Sequence, residues 1–106
     1  MGSAQAHAPK ALRAFGTKFP RTWRAYLALR EATDAAGPLD AKTRELIKLG
    51  LEVAKRRHGG LAAHIVRAKR AGATSQEIHH AIMLAIPLVG LPDVLDAFLV
   101  AKRYAR

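Results

Sequence analysis

The chain has 106 residues, 18 Lys and Arg against 8 Asp and Glu for a formal net charge of +10, no cysteine, and 50% hydrophobic but only 6% aromatic residues. That length admits one domain with a thin core; the recurrent apolar residues exclude intrinsic disorder, and no apolar run approaches the ~18 residues of a membrane span. The absence of cysteine excludes disulfides, thiolate metal sites and any mechanism that runs through a cysteine nucleophile.

Residues 1–10 are small and polar and lack the apolar stretch of a secretory signal, so a cytoplasmic address is expected. Residues 1–18 are expected to form a flexible segment ahead of a helical domain over 19–106. β-Branched residues are sparse, Ala is abundant and the apolar positions repeat at helical spacing, which predicts an all-α fold. The first helix follows Phe19-Pro20, with Trp23, Tyr26, Leu27 and Arg30 on one face, and stops at Gly37-Pro38. Asp40 is a good N-cap for a second helix reaching about Arg57. Its apolar arc, built on Leu46, Leu49 and Val53 and widened by Ile47, Leu51 and Ala54, is broad enough to touch two neighbours.

Gly59-Gly60 reads as the break before a third helix whose buried face is Leu61, Ile65 and Ala68, with His64 on that face and Gly72 just past its end. Thr74 and Glu77 fit a capping box, with Ala73 and Ile78 as its staple, opening a helix from Ser75 to Ile86 that is apolar nearly all round. So much apolar surface implies subunit contacts. Pro87 ends that helix, Gly90-Leu91-Pro92 turns the chain, and Val94, Leu95, Phe98, Leu99 and Val100 carry a last helix toward Tyr104.

Charge is uneven: residues 1–37 net +4, 38–71 net +6 and 72–106 zero. Such a field attracts polyanions or, equally, a small anionic substrate. Lys55, Arg56, Arg57 and His58 together with Arg67, Lys69 and Arg70 form a basic patch. The last three scatter round their helix and no recognised motif accompanies them, which argues against nucleic acid and for a solvated basic surface. With Ser3 and Ser75 the only serines, a held serine nucleophile is not expected, and proton transfer by His58, His64, His79, His80, Glu45, Glu52 or Glu77 is the chemistry left. His64 is either a satisfied core histidine or an active-site group. Glu45 with Lys48 and Glu52 with Arg56 read as helix-surface ion pairs. Glu77 and His80 have Glu-x-x-His spacing, but the further ligands of a complete site are missing from the chain, so no metal and no cofactor is expected.

The stretch from Pro38 to Phe98 resembles the carboxymuconolactone decarboxylase and AhpD-like alkylhydroperoxidase family, over about Phe19 to Tyr104. The resemblance rests on Arg44-Glu45-Leu46-Ile47, the helix bearing His64, the turn Ala71-Gly72-Ala73-Thr74 with Glu77-Ile78, and Gly90-Leu91-Pro92. It implies an all-α helical-bundle subunit in a symmetric homo-oligomer, a homotrimer or homohexamer, with the active site near the histidine helix. In the peroxidase branch the family pattern is a Glu, then Cys-x-x-Cys, then three residues and a His. Glu45 and His64 match its ends, but Arg57 and Gly60 occupy the cysteine positions, so the thiolate chemistry of that branch is not available. The decarboxylase branch, which the chain resembles more, implies a small anionic lactone or carboxylate as substrate. His64 and Glu45 are then the expected catalytic pair, and Arg57 and His58 the expected substrate-binding residues. A non-catalytic oligomeric scaffold or ligand-binding member is the alternative.

Overall fold

A computed structural model describes residues 10–106 as seven helices: α1 (Lys10–Lys18), α2 (Pro20–Ala35), α3 (Ala41–Ala54), α4 (His58–Arg70), α5 (Ser75–Met83), α6 (Ile86–Val89) and α7 (Leu91–Tyr104). No strand occurs among the described residues, and no helix of theirs is long and apolar enough to cross a membrane. The expected flexible segment over 1–18 divides: residues 1–9 lie outside the described residues, whereas Lys10–Lys18 form α1.

The core lies between α3, α4, α5 and α7. Leu49 and Val53 of α3, Leu61, Ile65 and Ala68 of α4, Ile78 and Ile82 of α5, and Val94, Ala97 and Ala101 of α7 are buried there. Each fully buried Leu or Ile contributes about 2 kcal/mol of apolar transfer energy, so a core with five such side chains is thin. The expected last helix forms, and its buried stripe is not made of its largest apolar residues. Val94, Ala97 and Ala101 face inward, while Leu95, Phe98 and Leu99 are exposed. Alanines let α7 approach α4 closely, and the bulkier residues are left on the outer face. Ile47 and Leu51 of α3 are likewise exposed.

Local chemistry explains where the helices begin and end. The Asp40 carboxylate accepts a hydrogen bond from the Thr43 backbone N–H at 2.8 Å at the start of α3. Both halves of the Thr74–Glu77 capping box are formed, and Ala73 and Ile78 are buried in one cluster as a staple would have them. At the end of α4, Gly72 takes φ +100°, its N–H donates to the Lys69 carbonyl and that of Ala73 to the Ala68 carbonyl, a Schellman ending. Helix α3 ends in the same way and earlier than expected, at Ala54 and not Arg57. Arg56 takes φ +57°, and the N–H groups of Arg56 and Arg57 donate to the carbonyls of Val53 and Glu52.

The helix expected over Ser75 to Ile86 stops at Met83, because the ring of Pro87 would meet the carbonyl four residues before it, that of Met83. Pro87 instead sits in the first turn of α6. Gly90, with φ +94°, makes the corner into α7. Helices α1 and α2 contribute no buried residue and pack chiefly on each other. Asp34 near the end of α2 is joined to Lys48 and lies 3.8 Å from the Arg44 Nε, which ties this arm to α3.

Candidate functional site

Helix α4 turns Leu61, Ile65 and Ala68 into the core, and the same face carries His64 against α3. On α3, Glu45 and Glu52 are seven residues apart, two turns, so both carboxylates project from one side of the helix toward α4. The imidazole lies between them. His64 Nδ1 is 2.7 Å from Glu45 Oε1, a hydrogen bond between side chains each 14% exposed. His64 Nε2 is 3.6 Å from Glu52 Oε2, and the Glu52 side chain is 17% exposed.

Burial alone would push the Glu45 carboxyl up. The hydrogen bond and charge of His64, with the nearby charges of Lys48 and Arg67, outweigh it and hold Glu45 below the usual carboxylate range. Glu45 is therefore a carboxylate at neutral pH, a shape suited to fixing the ring orientation and tautomer of His64. The expected Glu45–Lys48 surface pair is not what forms: Lys48 is hydrogen-bonded to Asp34, fourteen residues back along the chain. Its charge reaches Glu45 only at longer range.

Glu52 departs further from the expected pairing with Arg56. Arg56 turns away to Asp93, with its Nε 3.3 Å from Asp93 Oδ1. The other oxygen of Glu52 faces Arg57, whose Nε is 3.6 Å away. Gly60, expected to break the chain between helices, is a buried residue in the first turn of α4. A Cβ built on it would stand 2.6 Å from Glu52 Cδ and 2.9 Å from Glu52 Oε1, closer than Cβ atoms come to other groups. The absence of a side chain at residue 60 is thus what admits the Glu52 carboxylate. The sequence offers Glu52 only as one of several proton-transfer candidates and as a partner of Arg56, and Gly60 only as a helix break at a cysteine position; the seven-residue spacing from Glu45 was the available signal that Glu52 belongs beside His64.

Of the remaining expected site residues, Arg57 caps the start of α4 with a side chain 55% exposed, at the open edge of this cluster. His58 is the first residue of α4 and exposed. It lies six residues from His64, about 9 Å along the helix and on another face, so the two imidazoles are not brought together. Glu77 completes the capping box and receives the Lys42 ammonium at 3.1 Å. His79 packs its ring on Phe98. Among the described residues no group of three His, Asp or Glu has the arrangement of a metal site. The basic patch is similarly partitioned, with Arg56 and Arg57 facing acidic partners and Lys69 donating to the Arg106 carbonyl at 2.8 Å.

A sequence model described as the carboxymuconolactone decarboxylase family matches residues 20–103, nearly the whole helical part of the chain. The chain belongs to the carboxymuconolactone decarboxylase family. An uncharacterized protein of Haemophilus influenzae is 40% identical to this family member over 58 residues, which make up 55% of the chain. The same stretch covers 51% of that relative, so the chain spans about half the length of the curated protein it matches. No solved structure matches the chain. The chain contains no cysteine, consistent with a member that lacks the thiol pair of the peroxidase pattern.

Proposed function

We propose that this protein binds a small anionic lactone or carboxylate at the edge of the α3–α4 interface and moves a proton to or from its carbon through His64. Glu45 orients the imidazole, and Arg57 with the neighbouring His58 attracts the substrate's carboxylate. The observation that carries this reading is the 2.7 Å bond between Glu45 and Nδ1 of a largely enclosed His64. It commits one ring nitrogen and leaves Nε2 for proton exchange, as decarboxylation with double-bond migration requires. The net charge of +10, concentrated in residues 38–71, supports an anionic ligand. Thiol peroxidase chemistry has no place in this reading, since neither guanidinium nor glycine performs disulfide exchange.

The same proposal includes assembly into a homotrimer or homohexamer. Large apolar side chains such as Leu51, Leu84, Leu88, Leu95 and Leu99 are exposed on the single chain, and a groove of about 440 Å³ between α5, α6 and α7 is lined by Met83, Leu95 and Phe98 among others. Such faces are those a second copy covers.

Turnover of carboxymuconolactone and related lactones by wild type and His64→Ala tests the reading. The expected outcome is a loss of about 10²- to 10⁴-fold in kcat/KM. Equal rates would remove the enzymatic role of His64. A second reading, a non-catalytic ligand-binding or scaffold member, is favoured by one observation: Nε2 faces a carboxylate of its own chain. It predicts no turnover by either protein.

A further inference from the structure

The group nearest the working nitrogen of His64 is Glu52, which the reading above leaves without a part. Its Oε2 lies 3.6 Å from Nε2 and its Oε1 lies 3.6 Å from the Arg57 Nε, both beyond hydrogen-bonding range. The carboxylate therefore lies between an imidazole and a guanidinium, within ion-pair distance of both. It stands where a side chain on residue 60 would otherwise stand, because Gly60 has none. The charged groups that face it come from the turn after α3 (Arg57) and from α4 (His64).

We propose that Glu52 is a second acid–base group of this site, exchanging a proton with Nε2 of His64, and that the missing side chain at Gly60 is the device that admits it. In the step, the N–H bond at Nε2 of the imidazolium breaks and an O–H bond forms at Oε2 of Glu52. The products are a neutral imidazole, still bonded through Nδ1 to Glu45, and a carboxylic acid. The reverse transfer resets the pair. Glu52 opens toward Arg57 at the exposed edge, so it links the enclosed imidazole to the place where an anionic substrate or water arrives. The proposal rests on the reading of His64 as a proton-transfer group.

Two measurements on the full chain test it. The first is the pH–rate profile with the lactone panel for wild type, Glu52→Gln, Glu52→Asp and Gly60→Ala. Glu52→Gln is expected to lower kcat/KM about 100-fold and to flatten one limb of the profile. Glu52→Asp should keep that limb, and Gly60→Ala, which displaces the carboxylate without removing its charge, should fall between them. The second is the ¹⁵N spectrum of the His64 ring in histidine-labelled protein, which needs no turnover. Glu52→Gln is expected to move the Nε2 resonance and leave that of Nδ1, whereas Glu45→Gln moves Nδ1. An unchanged profile, or an unmoved Nε2 resonance in a folded Glu52→Gln protein, overturns the proposal. If wild type turns over no lactone, the substrate assignment fails, and the ring spectrum still decides whether Glu52 is coupled to His64.

Discussion

His64 Nδ1 and Glu45 Oε1 meet at 2.7 Å across the α3–α4 interface, in a place open to water on only a small part of its surface. The pair ties together two helices that also share the Leu49, Val53, Leu61 and Ile65 core. A hydrogen bond with an ionised acceptor contributes about 1.5 to 3 kcal/mol when enclosed, and partial solvation at Glu45 brings that down to about 1 kcal/mol. A double-mutant cycle of Glu45→Gln and His64→Ala, followed by urea denaturation, is expected to return a coupling energy of that size. Strict additivity would show that the contact contributes nothing to folding.

Acid weakens the fold through its carboxylates. The Lys48 hydrogen bond holds Asp34 below its ordinary value, the Thr43 and Thr74 backbone N–H groups do the same for Asp40 and Glu77, and Glu45 is lowered despite its burial. A carboxyl that is lowered in the folded chain binds protons more weakly there than when unfolded. Its contribution is complete above the ordinary value and is lost as pH falls through the lowered one. Urea midpoints are therefore expected to be flat near neutrality and to decline below about pH 5, less steeply in Glu45→Gln. A midpoint that rises on acidification below that pH would contradict the assignment.

Gly60→Ala should reveal the occupant of its space. In a helix, Ala is more stable than Gly by about 0.5 to 1 kcal/mol, but here the new methyl must push the Glu52 carboxylate aside. The substitution is expected to bring little or no gain in wild type and the full gain in a Glu52→Ala background. Thermal denaturation of the four proteins reads the difference, and identical effects in both backgrounds would place Glu52 elsewhere.

Arg56 occupies a left-handed position that glycine fills at the end of α4. A non-glycine residue there costs about 1 kcal/mol, and the exposed ion pair of Arg56 with Asp93 returns only part of it. Arg56→Gly is expected to raise stability by about 0.5 kcal/mol, and Arg56→Val, which is stiff at χ1, to lower it by about 1 kcal/mol. Chemical denaturation checks both signs.

The features visible in the sequence were those set by neighbours in the chain. Asp40, the Thr74–Glu77 box and Gly72 act within four residues of themselves, and each does in three dimensions what its spacing implies. The all-α fold followed from helical periodicity, and the family from short stretches such as Arg44 to Ile47, the His64 helix, the turn at Gly72 and Gly90-Leu91-Pro92. Features decided between elements were hidden. Nothing local distinguishes Gly60 as a close-approach residue from Gly60 as a helix breaker, or shows that Lys48 selects Asp34 over Glu45. The outward placement of Leu95, Phe98 and Leu99 was hidden because a stripe of alanines is a weak hydrophobic signal beside three large residues. Arg56 gave no hint of its conformation, since arginine has no preference for it.

The arm formed by α1 and α2 stands apart from this core, joined to it by the carboxylate of Asp34 more than by any buried side chain. In an isolated subunit such an arm melts on its own account. Its amides will exchange with deuterium well before those of α3, α4 and α7, and the heat absorbed in the main transition will correspond to a chain about a quarter shorter than the one in the calorimeter.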